Sequence, residues 1–294
     1  MVFSRPATVP TRPTARPSMP PAWAVPPQST PNAGSTNKIS ACRFAEMKFL
    51  VYNIAYGTGA PKNRLDQVLG MYKYLHTGRR HLEKVIDCIA DWKPDVSGLL
   101  EVDNGSFRTG YLNQGELIAR SLHQTVYSAV KYAPGSIPRK IPILRKQTNI
   151  FLTPEKLRPC AFHYLPHGMK RLALEIEVDG IRFFLLHLSL RRNVRQYQLD
   201  TLAGLLKGLD QPFLIGGDFN AFAGTGELQS FMQALNLQSA NTANQPTFPA
   251  WKPEKQLDYI LYSSCIEPVR CKVGSAQASD HLPVLFEFRR RSEN

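Results

Sequence analysis

Eight residues of the types that bind cations or move protons stand at the ends of short apolar runs, far apart along the chain. Asn53 closes KFLVYN, Glu101 lies near the end of DVSGLLEV, and His187 follows FFLL. Asp218 and Asn220 come after FLIGG, Asp258 opens DYILY, and Asp280-His281 precede PVLFEF. A sheet can gather strand-end side chains into one pocket, and carboxylates gathered there repel unless a cation or proton intervenes. The set therefore predicts a hard divalent metal. Oxygen donors without cysteine point to Mg²⁺, with Mn²⁺ as a substitute, rather than to structural zinc. Singly, each residue has an ordinary structural role. Asn53 could cap the next loop, His187 could be a satisfied core histidine, Asp218-Phe219-Asn220 could be an Asx-type turn, and Asp258 could pair with a Lys or Arg. Their joint placement at strand ends carries the functional reading.

The elements that must position them are legible as apolar runs bounded by turn residues. KFLVYN, DVSGLLEV, NIFLT, LALEIEV, IRFFLLHL, PFLIGGDF, LDYILY and PVLFEF read as strands. LALEIEV alternates strictly, putting Leu172, Leu174, Ile176 and Val178 on one face. Helical spacing recurs between the strands: in RRHLEKVIDCIADW through Leu82, Val85, Ile86 and Ile89, and again in ELIARSL, VRQYQLDTLAGLLKGL and GELQSFMQAL. Strands interleaved with helices predict an α/β layered domain.

In the order LVYNIAYG, GLLEV, FLLHLSL, FLIGGDFNA, QLDYILY and ASDHLPV, the blocks resemble the endonuclease/exonuclease/phosphatase superfamily of DNase I-like metal-dependent phosphoesterases. Any one block is a weak signal; their order and strand context make the resemblance specific. It implies a four-layer α/β sandwich, two facing mixed β-sheets flanked by helices, with the site where the sheets meet. It implies that Asn53 and Glu101 hold the divalent ion, with Asp280 contacting it directly or through water. By the same resemblance, Asp218 aligns or deprotonates the attacking water and Asn220 donates to a phosphoryl oxygen or steadies that water. His281, paired with Asp258, acts on the scissile phosphate as base or donor, and His187 contacts the phosphate or protonates the leaving oxygen. The chemistry suits that division. Hydrolysing a phosphodiester builds negative charge on non-bridging and leaving oxygens, which a metal with His and Asn donors stabilises.

The chain departs from the family pattern at two places. Ala55 stands where several related nucleases carry an Asp two residues after the first Asn, and QTNIFLTP lacks the terminal Arg of the related G-N-A-I-L-S-R segment. Pro166 between His163 and His167 prevents a helical ligand pair there. For the substrate, the bases Arg139, Lys140, Arg145 and Lys146, with Arg79-Arg80 and Arg191-Arg192, could track a nucleic-acid backbone. Tyr111, Tyr132, Phe248 and Trp251 could stack on bases. Nucleic acid is thus the expected partner and nuclease-like phosphodiester hydrolysis the expected activity. Phospholipid or inositol-phosphate hydrolysis is the alternative, since the same charges attract those head groups. A catalytically silent nucleic-acid-binding module is the non-enzyme alternative.

Composition bounds the rest. The 294 residues are 43% hydrophobic, enough for a sizeable core and incompatible with wholesale disorder. No run reaches the roughly 18 apolar residues of a membrane-spanning helix. The net charge of +13 overstates the domain: residues 1–45 hold five bases, no acid and nine of the 23 prolines, leaving +8 for the remainder. Residues 1–46 are accordingly expected to be a disordered Pro-rich tail, with an organelle-targeting peptide or sequence upstream of a start at Met47 as alternatives. The domain is expected over 47–289, followed by a C-terminal tail 290–294, in a cytoplasmic setting. Five cysteines without metal-ligand spacing read as reduced, mostly buried thiols.

Overall fold

The computed structural model describes residues 46–63, 66, 77, 79–154 and 161–291. The Pro-rich tail, Cys42 and Cys160 lie outside the described residues. Strands β1 (Met47–Asn53), β2 (Val96–Asp103), β3 (Thr125–Val130), β4 (Gln147–Thr153), β11 (Ile266–Val273) and β12 (Val284–Arg290) form one sheet, in the order β11-β12-β1-β2-β4-β3. The second sheet joins β5 (Phe162–Tyr164), β6 (Leu172–Val178), β7 (Ile181–His187), β8 (Phe213–Asp218), β9 (Gln238–Ser239) and β10 (Asp258–Tyr262), in the order β5-β6-β7-β8-β10-β9. Each sheet has one parallel pair, β1 with β2 and β7 with β8, and antiparallel neighbours elsewhere. These two mixed sheets, covered by helices, are a DNase I-like α/β sandwich.

Period-two alternation explains the layering. Phe49 and Val51 of β1 face Leu174 and Ile176 of β6 and Phe183 and Leu185 of β7 across the inter-sheet core. The intervening residues of β1, Leu50 and Tyr52, face outward onto α1 (Arg79–Trp92), which contributes Leu82, Val85 and Ile89. On the far side, Phe184, Leu186 and Ile215 pack under α3 (Arg192–Leu206). Phe49 and Phe183 meet edge to face with ring centroids 5.1 Å apart. Truncating such a buried ring to Ala costs about 3–5 kcal/mol. α2 (Gln114–Ser121) begins where the Asn113 side chain accepts from the Glu116 amide at 3.2 Å, an N-cap.

The predicted strands are all present, and the structure adds β3, β5, β9 and β11. β3 is only half-buried, and β11 is an edge strand carrying Pro268 and a bulge, so neither has an apolar run to announce it. The helix expected over GELQSFMQAL splits into a 3₁₀ turn, Thr225–Leu228, and α4 (Gln229–Ala234). Among the described cysteines only Cys88 is buried; Cys265 and Cys271 are half-buried because they flank and occupy the edge strand β11.

Both parallel pairs end at the same end of the sandwich. Asn53 closes β1, His187 and Asp218 close neighbouring β7 and β8 in register, and Asp258 opens β10 opposite Asp218. Gly216 is what lets the sheets approach there, and Gly217 lets β8 lie close against its neighbour β7. A Cβ on Gly216 would lie 2.5 Å from Val51, and one on Gly217 would lie 1.9 Å from the Leu186 carbonyl oxygen.

Candidate active site

Glu101 is aimed by a β-bulge. The β2–β4 register shifts between Leu99 and Val102, and Glu101 adopts a left-handed φ of 56°. A non-glycine residue held there costs about 1–3 kcal/mol, a strain typical of functional positions. Its Oε1 lies 3.8 Å from His187 Nδ1, 3.4 Å from Lys131 Nζ and 3.8 Å from Lys170 Nζ. Burial alone would raise the Glu101 carboxyl, but the two lysines and His187 outweigh it and hold the pKa at about 2.

Asp218 sits at the centre. Its Oδ2 accepts from Asn53 Nδ2 at 3.3 Å and lies 3.2 Å from His187 Nε2 and 3.9 Å from His281 Nε2. Burial would raise this carboxyl too, yet the two histidines and Lys170 hold it far below the usual carboxylate range. His281 Nδ1 is 2.8 Å from Asp258 Oδ2. Thr247 Oγ1 donates to the same oxygen at 2.6 Å, and Phe248 packs on the imidazole at a centroid distance of 4.9 Å. Burial would lower the His281 pKa, but Asp258, then Asp218 and Asp280, raise it to about 10. His187 behaves oppositely: burial, then Lys131 and Lys170, push it down to about 3. It is a neutral imidazole near pH 7, with Lys170 Nζ against Nε2 and no hydrogen-bond partner at Nδ1.

The amides do structural work alongside. Asn53 Oδ1 accepts from the Ala55 amide at 3.1 Å, so the capping role and the site role coexist. Asp218 Oδ1 accepts from the Asn220 amide at 3.0 Å, an Asx turn, while Asn220 Nδ2 donates to the Leu188 carbonyl at 3.0 Å and ties down the end of β7. Asp280 Oδ1 accepts from Ser279 Oγ at 3.2 Å, and Ser279 Oγ also donates to the Asn53 carbonyl at 2.7 Å. Burial raises the Asp280 carboxyl, and Glu101 and Asp218 add to the rise against His281. All eight predicted residues therefore converge, seven through contacts of their own atoms and Asp280 through its field.

Sequence reasoning missed Lys131 and Lys170. Lys131 is 2% exposed and donates to the Tyr56 hydroxyl at 3.3 Å, under a ring that also takes the Arg108 guanidinium at 4.0 Å. Arg108 is locked in turn by Asp103, with Nη2 to Oδ2 at 2.6 Å and both groups buried. The available signal was thin: Lys131 directly follows β3, itself unrecognised, and Lys170 stands two residues before β6. Tyr132, expected as a stacking platform, is instead buried and donates to Gln147 Oε1 at 2.7 Å.

Among the described residues no group of three or more His, Cys, Asp or Glu side chains is disposed as a closed metal cage. The donor chemistry nevertheless fits one hard ion that keeps most of its water, because such an ion needs few protein ligands. Glu101 and Asp280 offer oxygen atoms, and Asp280 is buried with Glu101 and Asp218 close enough to add to the rise that burial gives its carboxyl.

A two-sheet sandwich with carboxylate, amide and His–Asp groups converging at the strand ends has the makings of a phosphoesterase site. The chain belongs to the endonuclease/exonuclease/phosphatase family, whose model matches residues 50–281. No curated protein matches it significantly by sequence. Among solved structures it is similar to the human Nocturnin catalytic domain with bound sulfate (20% identity, 83% of this chain and 93% of that one, TM-score 0.59). It is also similar to the Bacteroides thetaiotaomicron mannosyl-6-phosphatase Bt3783 (14% identity, 82% and 99% covered, TM-score 0.60). ANGEL2, a 2′,3′-cyclic phosphatase, aligns at 16% identity over 85% and 97% of the two chains, with TM-score 0.60. At these identities the likeness establishes the fold.

Proposed function

We propose that the chain is a divalent-metal-dependent phosphoesterase that cleaves a phosphodiester by direct attack of water. The observation that carries this is the convergence of the His281–Asp258 pair on Asp218, beside Glu101 and Asn53. Glu101 and Asn53, with Asp280 nearby, would hold Mg²⁺ or Mn²⁺, which supplies a Lewis acid for a phosphoryl oxygen. The remaining roles belong to the chain's own groups. Asp218 is too weak a base to take a proton readily, so it orients the attacking water as acceptor. His281 carries a proton at neutral pH and donates a charged hydrogen bond to the phosphoryl group. His187 is neutral, which favours contact with the phosphate over protonation of the leaving oxygen.

The alcohol half of the ester is a finer matter. For nucleic acid speak the bases Arg139, Lys140, Arg145 and Lys146, which line a loop at the mouth of the site. The stacking part of that case is weaker, because Tyr132 is buried and Phe248 packs against His281. A phospholipid or inositol-phosphate ester draws support from exposed aliphatic side chains on the same loops. The relatives' described substrates, a sugar phosphate and a 2′,3′-cyclic phosphate among them, favour neither. Turnover of plasmid DNA, single-stranded RNA, sphingomyelin and phosphoinositides, at matched salt and divalent ion, separates these classes. Activity on none of them, and none on a simple bis-aryl phosphodiester, would refute the proposal.

A further inference from the structure

Among the described residues, seven of the ten exposed large apolar side chains stand on loops at the site end of the strands, so exposed apolar surface is concentrated around the mouth. Three of these loops differ from the others in charge. Residues 133–146, 165–171 and 188–192 contain eight Lys or Arg and no Asp or Glu. Each also lifts aliphatic side chains into water: Ile137 is 76% exposed and Ile141 44%, Met169 56% and Leu190 60%.

The three loops form one continuous edge. The Tyr164 hydroxyl, at the end of β5, donates to the Val130 carbonyl at 2.9 Å, joining the bases of the first two loops. Buried Gln198 joins the second and third, donating to the Lys170 carbonyl at 2.7 Å and accepting from the Ser189 amide at 3.0 Å. The edge is also tied to the chemistry, because Lys170 reaches His187 from the second loop and the third begins one residue after His187.

From this we infer that the edge formed by residues 133–146, 165–171 and 188–192 docks on an anionic lipid surface, with the mouth of the site against the head groups. Aliphatic side chains have no π face for a nucleobase, and a phosphate backbone gives them nothing apolar to enter. At a bilayer, by contrast, Ile, Met and Leu leave water for the acyl boundary while neighbouring Lys and Arg reach anionic head groups. No described helix is long and apolar enough to cross a membrane, so this attachment would be peripheral.

The inference deepens the phosphoesterase reading in that it would bring head-group phosphates to the site, but its test needs no turnover. The full chain is sedimented with vesicles of phosphatidylcholine alone and of about one part phosphatidylserine to two of phosphatidylcholine. The expected result is selective binding to the anionic vesicles. The double variant Ile137→Ser/Leu190→Ser, which keeps every charge, should lose about tenfold or more in partitioning. Its turnover of a soluble bis-aryl phosphodiester and its melting temperature should be unchanged. Lys140→Gln/Arg145→Gln should also weaken binding and flatten its salt dependence, while Glu101→Gln should bind like the parent. No binding to anionic vesicles, or binding that survives the serine substitutions, overturns the inference. Tight binding of single-stranded RNA in place of vesicles, lost with the bases and not with the aliphatics, would assign the edge to nucleic acid. Failure of hydrolysis with vesicle binding intact would count against the phosphoesterase reading alone.

Discussion

His281 Nδ1 and Asp258 Oδ2 are 2.8 Å apart in a pair closed to water by Phe248 and Thr247. The folded-state pKa of His281, about 10, lies above its ordinary 6.5. Its contribution to stability is therefore complete below the ordinary value and lost as pH rises through about 10. If the imidazolium is the working form, kcat should be flat through neutral pH and fall on the alkaline side. Asp258→Asn removes the main raising influence, so it should move the alkaline limb of the pH–rate profile toward neutrality. An unmoved limb would mean that His281 does not act as the charged donor.

Asp218→Asn and His281→Ala each remove a group placed to act on water or phosphate. Each should lower kcat by about 100-fold or more with a smaller change in KM. Steady-state kinetics on a soluble phosphodiester provides the check, and near-parental rates in both variants would refute the site.

Lys131 Nζ lies 3.4 Å from Glu101 Oε1 and is fixed there by Tyr56. A unit positive charge so close to the carboxylate opposes a divalent ion at the same oxygen. Lys131→Met should therefore tighten Mn²⁺ binding by about tenfold, measured by calorimetry without substrate. It should also raise the Glu101 pKa from about 2, so that acid weakens the site at higher pH than in the parent.

Gly217 has no room for a side chain, since a Cβ would meet the Leu186 carbonyl at 1.9 Å. Gly217→Ala must part β7 from β8, the strands that end in His187 and Asp218. A loss of about 1–3 kcal/mol or more in denaturant unfolding is expected, with a fall in activity beyond what the stability loss explains.

The legible part of this molecule is the part written in local pattern. FLIGGDFN announces a strand and a turn, and DYILY places Asp258 at a strand start; the structure has both. The eight polar positions were visible because each ends or begins an apolar run. What was hidden depends on tertiary geometry. The bulge that turns Glu101 into a left-handed conformation has no signature in GLLEV, since it arises from the register of β2 against β4. Lys131 and Lys170 occupy no motif; Lys131 reaches Glu101 from the end of β3 in the same sheet, and Lys170 reaches it from the facing sheet. Tyr132 sits in a polar, proline-rich neighbourhood that reads as exposed loop, yet its hydroxyl is claimed by Gln147. The opposite protonation of His187 and His281 could not be read from sequence either, because burial with two nearby lysines sets the first and the carboxylates of Asp258, Asp218 and Asp280 set the second.

The central claim is that Glu101 anchors a divalent ion at a phosphodiester-cleaving site. Its most direct test is a Mg²⁺ and Mn²⁺ titration of bis-aryl phosphodiester hydrolysis by the parent chain and by Glu101→Gln. The parent is predicted to be inactive in chelator and to saturate with added ion. The variant is predicted to lose about 100-fold or more in kcat and to require more ion. Hydrolysis that persists in chelator, or a Glu101→Gln variant with the parent's rate and ion requirement, would contradict the account.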